Sequence, residues 1–351
     1  MGSIYIGDSN SKARKIKNGY IGVNGIARKI KNIYIGDSSG KARLVFKSGS
    51  PILIYTGNNI LISSDNGNTF QTMTTNLSNK SCYPISYDHD NNRFLMMNNN
   101  LPYCSYDGST WTQCGSSPVM FAGGSSSIIN YDGGVYVTPV DRVAPYYSYD
   151  MNTWYKTGFS TTDVSDDSYC RDIIYDSVSG KIAETFYYNS TGTYGIAIGN
   201  LTGGIISNTT GDKYSNVIVA NGYFIFSFGT TLYFRLATDP RNTWNLKYTQ
   251  THLEKICYHD GILLGVDSNS FYKSTDLGST WTTITALSYG TPIDLCYGKG
   301  YYWYLCSHYD PYTQSYNYCL YKSTDATNWI QVTTINNACT FCIGEKNNGR
   351  Y

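Results

Sequence analysis

The sequence predicts an all-β chain whose larger part is a seven-bladed β-propeller. Three observations point there. First, a short motif, Ser-x-Asp followed by a turn and then an aromatic residue, recurs between residues 63 and 329. Second, its acidic positions, Asp65, Asp107, Asp150, Asp239, Asp276 and Asp325, are spaced by 42, 43, 89, 37 and 49 residues. Third, apolar runs ending in turns precede each motif in phase, so one period holds four strands. About 43 residues with four strands is the length of one propeller blade. Composition agrees. Charged residues make up only 15%, while there are 36 Tyr and 34 Gly, and the helix formers Ala, Leu, Glu and Lys are concentrated nowhere.

The motifs come in two lengths. Residues 63–70 carry Ser63, Asp65, Gly67 and Phe70, and residues 274–281 carry Ser274, Asp276, Gly278 and Trp281. Three others are one residue shorter: Ser105, Asp107 and Trp111; Ser148, Asp150 and Trp154; Ser323, Asp325 and Trp329. A sixth keeps Asp239 and Trp244 but has Ala237 in the Ser place. The 89-residue interval is about double the rest, so a degenerate copy is expected near residue 195, with Asn200 in the Asp place. That makes seven. The blade of the first motif lacks its innermost strand, and residues 339–343 supply an unmatched one. The propeller is therefore expected to span residues 51–351, with its chain ends paired inside one blade, which removes an open edge.

These motifs resemble the Asp-box, Ser-x-Asp-x-Gly-x-Thr-Trp, of sialidases, some endo-glucanases and many non-enzymatic propellers. Physically, the Asp accepts hydrogen bonds from turn N–H groups, the Gly supplies a positive φ, and the Trp packs beneath the turn. The resemblance implies a structural role at the blade periphery. It also raises sialidase chemistry, which needs an arginine cluster, a Tyr nucleophile paired with Glu, and an acid. The Arg-Ile-Pro element that precedes the first box in sialidases is missing: the chain reads Lys47-Ser48-Gly49-Ser50-Pro51. From residue 51 onward there are six Arg (Arg93, Arg142, Arg171, Arg235, Arg241 and Arg350) and three Glu (Glu184, Glu254 and Glu345). Asp163, Asp166, Asp167 and Asp172 read as a solvated loop rather than paired glycosidase carboxylates. His89, His252, His259 and His308 have no metal-ligand spacing. A non-enzyme is expected, with no catalytic residue, cofactor or metal. The alternative is a glycan-cleaving enzyme.

Cys257 and Cys296 lie in apolar strands and read as small buried hydrophobes. A zinc site would have to draw on Cys104 and Cys114 or on Cys339 and Cys342, without a second pair at finger spacing. No signal peptide or membrane-spanning segment is expected.

Residues 1–47 differ from the rest. The first 50 residues hold ten Lys and Arg against two Asp, while the remainder is net acidic. Three units begin Tyr5-Ile6-Gly7, Tyr20-Ile21-Gly22 and Tyr34-Ile35-Gly36. They continue to Ala13-Arg14, Ala27-Arg28 and Ala42-Arg43. One short β-hairpin per unit fits this 14–15-residue period, and such hairpins bury little core alone. The units resemble N-terminal segments of phage structural proteins. That implies a virion anchor using Tyr5, Arg14, Tyr20, Arg28, Tyr34 and Arg43 and contacting other virion proteins. Nucleic-acid binding by the basic arm is the rival reading.

Tyr, Ser, Asn and Gly compose adaptable recognition surfaces. The run Tyr301-Tyr302-Trp303-Tyr304 leads to a long loop, in which Tyr309, Tyr312 and Tyr316 are the expected ligand contacts. The expectation is a phage tail-fibre adhesin or capsid decoration, made in the host cytoplasm and displayed on the virion. Its propeller would bind a host-surface glycan or protein, and a homo-oligomer is possible. A purely architectural virion part is the third reading.

Overall fold

The computed structural model describes residues 51–344 except 57–58, 75, 77–84, 119–128, 141–142, 160–167, 204, 212–215, 239–244, 250–251, 285–289, 313, 337 and 339. It also describes the backbone of six strands within residues 1–50. Side chains of residues 55, 140, 143, 168–171, 205–211, 248 and 336 lie outside the description. The chain divides into two compact units, 1–50 and 51–351.

In the first unit the six strands form three two-stranded antiparallel sheets. Tyr5–Gly7 pairs with Ala13–Lys15, Tyr20–Val23 with Ile26–Lys29, and Asn32–Gly36 with Ala42–Lys47. The side chains of the expected anchor residues lie outside the described residues.

The second unit is a seven-bladed β-propeller of four-stranded antiparallel sheets, with no helix among the described residues. Blade 1 orders Thr340–Ile343, Ile52–Tyr55, Asn59–Ser63 and Gln71–Thr74. Its innermost strand comes from the end of the chain, in the register Phe341↔Ile54 and Ile343↔Ile52. Blades 2 to 7 then follow in chain order, each a meander from the innermost strand outward. They begin at Ser86–Asp88, Asn130–Asp132, Ser168–Asp176, Ile218–Ala220, Lys255–His259 and Thr291–Gly298.

The core is distributed between the blades. Seven hydrophobic clusters occur among the described residues, and each joins two neighbouring blades. Successive side chains of a strand point to opposite faces. Phe94 and Met96 therefore pack toward blade 1, while Leu95 and Met97 pack toward blade 3. Both faces of the middle strands are buried, which is why they read as continuous apolar runs such as Phe94-Leu95-Met96-Met97 rather than as polar–apolar alternation. Cys257 and Cys296 are buried in this way.

An innermost strand has one unpaired edge, and buried backbone groups need partners. Neighbouring side chains supply some of them. Asn216 donates through Nδ2 to the Ile256 carbonyl (3.0 Å) and accepts from the Ile256 N–H (2.8 Å). Ser86 Oγ donates to the carbonyl of Ile129. The seam between blades 7 and 1 is closed by apolar packing. Ile52, Ile54, Phe341 and Ile343 join Trp303, Leu305 and Leu320 in one cluster.

Candidate binding surface

The Ser-x-Asp turns connect the third and fourth strands of their blades. In blade 6, Asp276 accepts from Thr280 N (2.8 Å), Thr280 Oγ1 (2.7 Å) and Ser274 Oγ (2.8 Å), while Ser274 Oγ accepts from Gly278 N (2.7 Å). The turn at Asp65 repeats this with Thr69, Ser63 and Gly67. In the short turns Asp107, Asp150 and Asp325 each accept two backbone N–H bonds at 2.8–2.9 Å. Trp111, Trp154 and Trp281 donate their ring N–H to the turn carbonyls of Gly108, Met151 and Gly278. These carboxylates are therefore occupied in shaping their own turns. Among the described residues no His, Cys, Asp and Glu cluster could hold a metal.

The positive-φ place of these turns is not always a Gly. Gly67, Gly108 and Gly278 do hold positive φ, but Met151 (61°) and Ala326 (60°) take the same conformation in two short turns. Both side chains are buried in inter-blade clusters, and that burial offsets a left-handed cost of roughly 1–2 kcal/mol. Gly67 is required twice over. A Cβ there would lie 2.7 Å from the Trp303 ring across the closing seam.

The hydrogen bonds hold these carboxyls below their usual range. For Asp276 the Thr280 N–H, the Thr280 hydroxyl and the Ser274 hydroxyl bring it to about 2, and Asp65 and Asp325 are lowered by the same kinds of contact. A lowered folded-state value stabilises the fold above the unfolded value of 3.8. That stabilisation disappears as the pH falls through the folded value. The melting temperature of Asp276→Asn should therefore lie below wild type at pH 7. The gap should close between about pH 4 and pH 2 in a pH series of thermal melts. A gap independent of pH would show that the charge is not what holds the turn.

Lysines tie these turns to the preceding blade, which the motif alone does not reveal. Lys247 Nζ donates to the Leu277 carbonyl (2.6 Å), and Lys273 Nζ donates to the Asp325 carbonyl (2.8 Å). Lys322 Nζ crosses the closing seam to Asn66 O (3.0 Å) and Asn68 Oδ1 (2.9 Å), lying over the rings of Tyr301 and Trp303. The signal was present in the sequence, because Lys273 and Lys322 each directly precede a motif Ser. A polar groove of about 650 Å³ lies beside the blade 6 and blade 7 turns, lined mainly by threonines and Lys273. Its cation is already committed to Asp325.

Between blades 2 and 3 lies a buried polar network. Arg93 Nε and the Tyr136 hydroxyl each donate to Asp88 Oδ2 at 2.8 Å, and Arg93 Nη2 donates to the Tyr136 oxygen at 2.8 Å. Tyr131 donates to Asp90. The network holds an Arg, two Tyr and two Asp, but among its described residues there is one Arg rather than the arginine cluster of sialidase chemistry, and no Glu to pair with a Tyr. Burial and the neighbouring carboxylates also push both phenols above their ordinary range. That opposes a phenolate nucleophile.

The most exposed aromatic group is on blade 7. Its second and third strands, Tyr301–Asp310 and Ser315–Ser323, are ten and nine residues long. The second strands of the other blades have four to eight. Pairing with the inner neighbour stops at Ser307↔Thr291 and with the outer neighbour at Asn317↔Asn336. The tip therefore runs three residues, 308–310, past its inner pairing, or roughly 10 Å. Tyr309 and Tyr316 face each other in register, with ring centroids 5.2 Å apart. They are 49% and 56% exposed, and Tyr312 in the turn is 96% exposed. Asp310 Oδ1 accepts from Tyr312 N at 2.9 Å and shapes the turn. Tyr318, two positions from Tyr316 and on the same face, packs on the seam cluster. The result is a one-sided tyrosine stripe running from the seam to the tip.

The structure thus brings Tyr309, Tyr312 and Tyr316 onto one hairpin. Asn200 ends the third strand of blade 4, paired with Lys181, and the turn begins at Leu201. There the buried Leu201 accepts from Gly158 N at 3.1 Å, just as Met151 accepts from Ser116 N in blade 3. Phe70 and Trp329 are partly buried against inter-blade clusters. Asp239 and Trp244 lie outside the described residues.

No protein-family profile matches the chain, and no curated protein resembles it in sequence. Solved structures do resemble it in fold. One is YCF48 bound to D1 peptide, with a TM-score of 0.51 at 14% identity, covering 74% of this chain and 87% of that one. Another is the WD40 β-propeller domain of Doa1, with a TM-score of 0.50 at 9% identity, covering 73% of this chain and 86% of that one. At such identities the likeness carries the architecture alone, and with the seven four-stranded sheets it makes this chain a seven-bladed β-propeller.

Proposed function

We propose that this protein is a phage virion component whose propeller binds a glycan on the host surface and whose residues 1–47 attach it to other virion proteins. The observation that carries the binding reading is the projecting hairpin. Tyr309, Tyr316 and Tyr312 expose aromatic faces at its tip, where nothing in the propeller's own packing requires them. Aromatic faces stack on sugar rings, and phenol hydroxyls bond sugar hydroxyls. No Lys or Arg occurs between Lys299 and Lys322, so the hairpin suits an uncharged polysaccharide better than a sialoside or phosphate polymer. The virion reading rests on the repeats headed by Tyr5, Tyr20 and Tyr34 and their resemblance to phage structural proteins. We read the Ser-x-Asp turns as Asp-boxes in a structural role. Their filled carboxylates and the raised Tyr131 and Tyr136 phenols favour a binder over a hydrolase.

Tyr309→Ala/Tyr316→Ala tests the reading. Binding of the labelled protein to host cells and to purified neutral cell-wall polysaccharide should fall about 30-fold or more, at about 2 kcal/mol for a buried aromatic anchor. The melting temperature should barely move. Unchanged binding would remove the hairpin from the reading, and release of sugar products by the wild type would replace binding with hydrolysis. Deleting residues 1–47 should leave a folded propeller that no longer joins particles. Particle assembly by the shortened chain would refute the anchor.

A further inference from the structure

Seven cysteines among the described residues carry free thiols. Two of them, Cys306 and Cys319, stand directly opposite each other on the second and third strands of blade 7. They lie near the base of the tyrosine hairpin, on the sheet face opposite the stripe. Cys306 is buried in the cluster between blades 6 and 7, and Cys319 is partly buried against it. The Cys306 thiol donates to the Cys319 carbonyl at 3.8 Å. The Cys319 sulfur is 4.0 Å from Thr334 Oγ1 and 3.8 Å from Gln331 Nε2.

Directly opposed residues of an antiparallel pair have Cα atoms about 4.5–5.5 Å apart, and a disulfide accepts roughly 4.4–6.8 Å. By Cα spacing the pair is within reach of a disulfide. To close, the Cys306 thiol must swing away from the Cys319 carbonyl, and the opposed Cβ atoms, about 4.5–5.5 Å apart, must draw in to the roughly 3.5–4.5 Å of a disulfide. Cys104 and Cys114 differ. Their thiols are in hydrogen-bond contact, but Cys104 pairs with Thr112 and Cys114 N bonds Pro102 O, so their backbones are a diagonal pair. Diagonal neighbours lie about 7–8 Å apart, at or beyond the disulfide limit.

We infer that Cys306 and Cys319 form a redox modification site that takes up a small-molecule disulfide by thiol–disulfide exchange and closes into a bond clamping the base of the tyrosine hairpin. The steps balance. The Cys319 thiolate, the more accessible of the two, attacks a disulfide RSSR, forming Cys319–S–S–R and releasing RS⁻. The Cys306 thiolate then attacks Cys319 Sγ, forming the Cys306–Cys319 bond and releasing the second RS⁻. The protein loses two protons and two electrons, and RSSR gains both. Burial pushes the Cys306 thiol up to about 12. The closing step therefore depends on a small thiolate fraction, which grows about tenfold per pH unit below that value.

The test treats the folded full-length chain with excess oxidised glutathione, quenches it by alkylation and maps non-reduced peptides by mass spectrometry. The expected product links the peptides of Cys306 and Cys319, with two glutathiones released per chain and a closing rate that rises about tenfold per unit from pH 7 to pH 9. Cys306→Ala should stop at glutathionylated Cys319. A glutathione adduct that persists on Cys319 in the wild type overturns the site, as does linkage that appears only in denaturant. Amide hydrogen exchange across residues 308–316 should slow in the oxidised chain; equal exchange in both states overturns the clamp.

Discussion

A chain cut before residue 340 should lose the cooperative unfolding transition of the full propeller and elute as aggregate in size exclusion. The removed strand, Thr340–Ile343, is buried throughout. Phe341 and Ile343 belong to the cluster between blades 7 and 1, and Cys342 to the one between blades 1 and 2. One short strand thus serves two interfaces. Burying Phe or Ile contributes about 1.5–3 kcal/mol each. Losing the strand also frees the edge of Ile52–Tyr55, where each buried, unpaired backbone group costs about 1–3 kcal/mol. Together these losses reach the scale of a whole domain's stability, about 5–15 kcal/mol. The exposed edge would further be a template for pairing with other chains. Phe341→Ala keeps the backbone pairing and should cost about 3–5 kcal/mol in urea denaturation. A truncated chain that stays monomeric and melts like the full one would show that the seam is held elsewhere, with Lys322 and the Gly67–Trp303 contact the next places to look.

Arg93→Met should destabilise the protein by about 3–5 kcal/mol, because it strands a buried carboxylate. Asp88 is fully buried, and its Oδ2 accepts from Arg93, Tyr136 and Asn91. Removing the guanidinium leaves that charge in a site built for an ion pair. Replacing both partners, Arg93→Met with Asp88→Leu, should recover most of the loss, because neither charge then has to be desolvated. A double-mutant cycle from urea denaturation measures the coupling. Additive losses would mean that Arg93 acts through its packing on Tyr136 rather than through Asp88.

The repeat was legible in the sequence because each turn is a local device. The side chains of Ser274, Asp276 and Thr280 bond within the turn, so spacing along the chain is enough to identify them. The doubled interval around residue 195 revealed a blade whose turn had lost that signature. What joins blade to blade was less visible. Lys322 and Asn66 are 256 positions apart in the sequence, and no local pattern records such a pair. Arg93 and Tyr136 belong to different repeats and meet only because the blades pack face to face.

The candidate site was half legible. The tyrosines of residues 309–316 stood out by composition, but a strand hides which side chains share a face until its register is set. The pairing Tyr309↔Tyr316 places two of them together on one face. The same pairing places Cys306 opposite Cys319 on the other.

By itself the sequence determined the all-β class, the seven-fold repeat and the turn chemistry, because these depend on interactions a few residues apart. Only the tertiary structure decided which faces meet. It distributed the core among the inter-blade clusters, ran lysines across to neighbouring turns and carried one tyrosine hairpin beyond its blade. Those outcomes depend on register and on contacts between distant repeats, which the order of residues along one strand does not specify.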